Sequence, residues 1–208
     1  MHKISFNVYG REHIHLNIGL GIYPSHKTVY NLNMGKVTRF NLDNYCHFVT
    51  SKTYRNTKIF SERKVADLLI QTIFEVKKKL KFQLVAFVVM PDHIHLMVVP
   101  DKRNTISDVV RHIKGRFSRR YNYLSRRMNS SDYVASDHRA GNSSPPGSKV
   151  WQESFYDHVI RNRKEFDQRL NYLYDNPVRA KLVEKPEDYK YSSATGKYET
   201  DLDGYVGG

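Results

Sequence analysis

The chain has 208 residues, 39% of them hydrophobic, which suits one globular domain with its own core and some length left for loops or tails. Thirty-four Lys and Arg against 21 Asp and Glu give a formal charge of +13, which favours a polyanionic partner, nucleic acid ahead of an anionic membrane, and fifteen Tyr and ten Phe supply rings that stack on unpaired bases. The one cysteine, Cys46, excludes an internal disulfide framework or cysteine zinc cluster and fits a reducing cytoplasm; no apolar run reaches bilayer length, and Arg11, Glu12 and His13 interrupt any signal-peptide pattern.

Residues 1–40 show no sustained hydrophobic period, and Met34-Gly35-Lys36 reads as a candidate start with an extension before it. Tyr45 to Tyr54 has strand composition. Ser61 is placed to cap a helix running to Leu80, with Val65, Leu68, Leu69, Ile73, Val76 and Leu80 on one face. Gln83 to Met90 reads as a buried strand, broken at Pro91-Asp92, and His93 to Val99 as a second strand antiparallel to it. Thr105 or Ser107 opens a second helix with an apolar stripe of Ile106, Val109, Val110, Ile113, Phe117, Tyr121 and Leu124. Residues 129–149, rich in Ser, Gly, Asp and Pro, read as a loop inserted into one domain. Val150 to Ile160 is expected as a strand. Asn162 with Glu165 resembles a capping box for a third helix that Pro177 should end, and the tail from Tyr191 is expected to be irregular. This order suits an α+β, ferredoxin-like sandwich, an antiparallel sheet with helices packed on one face.

His93-Ile94-His95 is the first chemical signal. Residues two apart on a strand point to the same face, so the two imidazoles project together and can hold one divalent metal. A lone H-x-H is short and common, and by itself it reads sooner as a polar pair on an exposed strand face. Glu12-His13-Ile14-His15-Leu16 nearly repeats the motif, but no apolar strand precedes it, and it reads as a chance echo.

In the third helix, Phe166, Leu170, Leu173 and Tyr174 share one arc, which should face the core. Tyr172 lies on another arc, with Asn176 four residues on and on the same face. A free phenol, with a pKa of roughly 10, is a poor nucleophile at neutral pH, and a nearby metal can polarise the phosphodiester it attacks. Asn176 offers a neutral oxygen as third ligand; two His and one amide leave positions open for water and phosphate. Mg²⁺ or Mn²⁺ would serve, Mn²⁺ sitting more readily beside imidazole. Attack by Tyr172 would give a covalent phosphotyrosine and release a sugar hydroxyl. The bond energy is kept, so a second DNA end can be joined without ATP.

Three motifs and the segment that follows them carry a family resemblance, in order along the chain. F-V-V-M-P-D-H-I-H-L-M-V-V resembles the metal-binding strand of the HUH single-tyrosine, IS200-like transposases. W-Q-E-S-F-Y-D-H-V-I-R from Trp151, Y-L-Y-D-N-P-V-R-A-K-L-V from Tyr172 and then P-E-D-Y-K-Y-S-S from Pro186 resemble the branch called REP-associated tyrosine transposases. The resemblance, from Tyr45 to Ser193, implies a ferredoxin-like domain that recognises hairpin DNA and cleaves single-stranded DNA beside it. It places His93 and His95 as metal ligands, Tyr172 as nucleophile and Asn176 as third ligand. Residues 1–40 would then be an extension, 41–193 the transposase domain and 194–208 a tail. Relatives with a short tyrosine helix exchange helices in dimers whereas this branch is thought to act as monomers, so both monomer and homodimer stay open.

For the DNA backbone the expected contacts are Arg111, Lys114, Arg116, Arg119 and Arg120 on the second helix, with Arg161 near the site. Two rivals compete. A histidine-triad hydrolase needs a third His where Met97 stands. A noncatalytic, ferredoxin-like binder of single-stranded nucleic acid explains the charge and the aromatics but not the histidine pair.

Overall fold

A computed structural model describes residues 45–131 and 149–203, together with two short strands near the N-terminus. The insert and the candidate start at Met34 therefore lie outside the described residues, except at the insert's edges. The two N-terminal strands, β1 (Ile4–Phe6) and β2 (Ile14–Leu16), pair antiparallel in a sheet of their own. The echo motif thus does have a strand partner, but it is not in the sheet that carries His93.

The main sheet has four antiparallel strands: β3 (His47–Lys52), β4 (Gln83–Val89), β5 (His93–Val99) and β6 (Tyr156–Val159), in the order β4-β5-β3-β6. The long elements fall where the hydrophobic periods put them. Helix α1 spans Arg63–Leu80, α2 Ile106–Ser131 and α3 Arg163–Arg179. Ser61 does not cap α1; it ends a 3-10 turn, Ile59–Ser61, and Glu62 takes the cap position without a side-chain bond. Thr105 does cap α2: its Oγ1 accepts from the Asp108 backbone N–H at 3.1 Å, and the Asp108 carboxylate accepts from the Thr105 N–H at 2.9 Å.

The helices do not share one face. α1 and α2 cover the side reached by Val49, Ile94, Leu96 and Val98, whereas α3 covers the side reached by Phe48, Val88, Met97 and Val99. The reason lies in the strands, since β5 is buried from Ile94 to Val99 on both faces and needs apolar cover on each. In β4 a bulge between Leu84 and Ala86 turns Val85 and Ala86 to the same, α3-facing core, which widens the apolar seat for that helix.

Two further expectations are corrected. The strand expected over Val150 to Ile160 is regular only at β6; Trp151 instead makes an isolated bridge to Thr53 and packs its ring 5.5 Å from both Phe60 and Phe117. Leu124 leaves the buried stripe of α2 at 38% exposure. The tail is irregular apart from a 3-10 turn, Ser193–Thr195, yet it is bonded to β4. The Ser193 hydroxyl accepts from the Phe87 N–H at 3.0 Å, the Val89 N–H reaches the Tyr191 carbonyl at 2.9 Å, and Leu84 exchanges bonds with Asp201 through N–H and carbonyl at 2.7 and 2.9 Å. This segment closes the free edge of β4.

Candidate active site

The strand register builds the floor of a cleft. Lys52 of β3 lies opposite His93 of β5, Thr50 opposite His95, and Phe48 opposite Met97. Alternation puts these side chains on the α3 side of the sheet, away from α1 and α2. The roof comes from α3. Phe166, Leu173 and Tyr174 are buried, which turns the opposite flank of the helix, with Arg169, Tyr172 and Asn176, over the histidines. The cleft encloses about 420 Å³ between Phe48, Thr50, Lys52, His93, His95, Tyr156, Arg169, Tyr172 and Asn176. No carboxylate is in that lining.

Distances are short at its centre. The His93 and His95 rings lie 4.8 Å apart, and the Tyr172 ring is 5.6 Å from His95 and 5.9 Å from Phe48. The His93 Nδ1 meets the Asp92 carboxylate at 2.6 Å, and the His95 Nδ1 meets the Thr50 hydroxyl at 2.8 Å. A ring held at Nδ1 by an oxygen presents Nε2 to whatever lies in front of it. For His95 that Nε2 is buried and has no hydrogen-bond partner. Burial first, then the neighbouring His93 and Lys52, lower the His95 pKa to about 3, so the ring is neutral with a lone pair to donate. Among the described residues no group of three His, Cys, Asp or Glu assembles. Asn176 is available: its Nδ2 donates to the Tyr172 carbonyl at 3.2 Å, leaving Oδ1 as the accepting end. The orphaned Nε2 and this N,N,O donor set fit a divalent cation.

The Tyr172 ring is 38% exposed and carries the Arg179 guanidinium 5.0 Å from its centre. Tyr174 is 6% exposed, and its hydroxyl lies 3.5 Å from the Ser193 hydroxyl. The helix arcs therefore separate the two tyrosines as expected.

The basic residues of α2 are not brought to this cleft, because their helix is on the other side of the sheet. Arg116 and Arg120 pair with Glu75 of α1 at 2.6 and 3.1 Å, holding that carboxyl below its usual pKa despite the opposing desolvation. Arg111 pairs with Asp108 at 2.5 Å, and the Lys114 Nζ donates to the Gln152 carbonyl at 2.6 Å. Arg119 and Arg161 are exposed, and the Arg161 N–H donates to Glu165 at 2.8 Å. Sequence reasoning missed Thr50, Lys52, Tyr156, Arg169 and Arg179. The first two follow from alternation along β3 once it is set against H-I-H, and the two arginines from turns of α3 on either side of Tyr172.

A four-stranded antiparallel sheet with helices on both faces, and a phenol from one helix facing two imidazoles from a strand, defines an α+β fold with a basic cleft. The chain matches the profile of the family described as "Transposase IS200 like" over residues 41–176 and belongs to that family. A protein of Escherichia coli named REP-associated tyrosine transposase is 28% identical over 145 residues, 67% of this chain and 73% of that one. A protein of Haemophilus influenzae given the same name provisionally is 31% identical over 113 residues, 54% of this chain. This chain spans 58% of that relative's length. A solved structure of the REP-associated tyrosine transposase bound to a REP hairpin superposes with a TM-score of 0.57 at 24% identity, covering 80% of this chain and 89% of the other, and supports the fold. No described helix is long and apolar enough to cross a membrane.

Proposed function

We propose that the protein cleaves and rejoins single-stranded DNA beside a hairpin, with Tyr172 as nucleophile and His93, His95 and Asn176 holding Mg²⁺ or Mn²⁺. The observation that carries this reading is the Tyr172 ring 5.6 Å from His95, whose buried Nε2 lacks a partner. A divalent cation bound there would polarise the phosphodiester and offset charge developing on its oxygens. The chain's own residues do the rest. Lys52 and Arg169 line the cleft and supply positive charge for the phosphate. Arg179 and Phe48 hold the Tyr172 ring in place. The phenol oxygen forms a bond to phosphorus as one sugar–oxygen bond to phosphorus breaks; the phenol proton is released and the departing sugar oxygen takes up a proton. A second DNA end reverses these steps.

The REP hairpin bound in the similar solved structure supports the hairpin, and the cleft is lined by residues of one chain, which supports action as a monomer. The transposase domain is assigned to 41–193, and the assignment to the cytoplasm rests on the bacterial relatives. Phosphates outside the cleft would meet the exposed Arg119 first, whereas Arg111, Lys114, Arg116 and Arg120 are engaged with Asp108, Gln152 and Glu75.

The test is a labelled DNA hairpin with unpaired flanks, incubated with protein and Mg²⁺ or Mn²⁺ and run on a denaturing gel. A covalent adduct is expected. Tyr172→Phe should abolish it, and His93→Ala or His95→Ala should lower it by at least about 100-fold. A native-gel shift with no adduct under any metal would instead establish the noncatalytic binder.

A further inference from the structure

The cleft does not end at Tyr172. A second hollow of about 340 Å³ adjoins it, lined by Thr50, Lys52, Gln152, Ser154, Phe155 and Tyr156. Thr50, Lys52 and Tyr156 line both hollows, and neither lining contains a carboxylate. The volume lies at the small end of ligand pockets and suits one monomer unit of a polymer.

Register explains the junction. Tyr156 of β6 pairs with Thr50, and Thr50 pairs with His95, so the three stand in one row across the same face. Tyr156 is two strands from His95, roughly 10 Å away at ordinary strand spacing, within reach of a base carried on the adjoining stretch of single strand. Among the described residues the tail closes the sheet at β4, and β6 is the opposite edge strand, beside these hollows. At that edge the Tyr156 ring is 52% exposed, lies parallel to His158 at 6.4 Å, and otherwise faces the hollows. Lys52 is exposed between the two hollows and makes no ion pair among the described residues.

An open aromatic face beside the reacting centre, with a free ammonium between, has the chemistry of a base platform and a phosphate contact. We propose that the second hollow is a nucleotide subsite: it takes the unpaired nucleotide flanking the scissile phosphate, its base stacked on Tyr156 and its linking phosphate on Lys52. This rests on the reading of the neighbouring cleft as the cleavage site. It adds a specificity element that the metal–tyrosine chemistry does not require.

The probe is a DNA hairpin with a single-stranded dT flank, chosen for binding to wild-type protein, with an abasic site placed at each flank position in turn. Affinity is read by fluorescence anisotropy in EDTA, using the Tyr172→Phe background so that no cleavage intervenes. One flank position should be sensitive, with the abasic site weakening binding about tenfold. Tyr156→Ala should weaken the intact flank by the same factor and show no further loss with the abasic probe, whereas Tyr156→Phe and Tyr156→Trp should bind as the parent does. Equal abasic losses in the parent and in Tyr156→Ala, or no sensitive position, would overturn the subsite. Covalent adduct formation by the Tyr156 variants with metal is scored separately. Adduct without a sensitive position sinks the subsite alone, and a sensitive position without adduct sinks the cleavage chemistry alone.

Discussion

A charged imidazole is hard to hold where His95 sits. The side chain is 4% exposed, and His93 and Lys52 oppose any positive charge beside them. Its pKa falls from 6.5 in the unfolded chain to about 3 in the fold. Between those values the unfolded chain binds a proton that the folded chain refuses, so stability is full above pH 6.5 and drains away as pH falls toward 3. The slope this residue adds is at most ~1.4 kcal/mol per pH unit. Urea unfolding of the metal-free protein between neutral and mildly acidic pH should therefore show a steeper acid loss for wild type than for His95→Gln; parallel curves would refute the assignment. The histidine pair itself was legible in the sequence, because strand alternation is a local rule. The Thr50 hydroxyl that orients the ring was not, because it comes from a strand 45 residues away and is fixed only by register.

At the scale of elements, α3 carries most of the proposed chemistry, and its end is the least expected part. Pro177 was expected to stop the helix. Instead it is buried inside the last turn, and the helix runs on to Arg179. Proline gives up only its own N–H, and the turn beyond it is closed by two other bonds. The Lys181 N–H donates to the Val178 carbonyl and the Leu182 N–H to the Pro177 carbonyl, each at 2.9 Å. This is a Schellman ending, and it needs a left-handed residue, supplied here by Lys181 at φ 57°. The extra turn is what places Arg179 over the Tyr172 ring. Glycine would adopt that backbone without the Cβ penalty. Lys181→Gly should stabilise the protein by ~0.5–1 kcal/mol, seen as a higher urea midpoint at unchanged slope. A lower midpoint would mean that the lysine side chain contributes something its exposed position does not suggest. Helix spans were readable because period and cap chemistry are local; the choice of sheet face for α3 was not, since it depends on which side of β5 is left uncovered.

For the whole molecule, the problem is the two edges of one four-stranded sheet. Among the described residues no strand pairs with the outer edge of β6, beside the cleft, whereas the segment after α3 covers β4. Sequence reading treated that segment as irregular because it forms no strand and has no period. Its contacts are single and specific: a serine hydroxyl on Phe87, a tyrosine carbonyl on Val89, and Asp201 on Leu84, with Lys77 of α1 paired to the same carboxylate at 3.0 Å. Tyr198 adds apolar cover, its ring 5.0 Å from Phe87 and 6.2 Å from Phe74. Ending the chain after Asp188 would unpair the N–H groups of Leu84, Phe87 and Val89 together and bare the rings beneath. Each buried donor left without a partner costs ~1–3 kcal/mol, and losses of that size are a large share of a domain's stability. An open β4 edge also offers pairing to a second copy. The truncated protein should therefore melt well below the full chain and associate in a concentration-dependent way on sizing columns. Restoring the segment as a separate peptide should reverse both effects. A truncated chain that stayed monomeric with an unchanged melting temperature would show that the β4 edge is protected by something other than this segment.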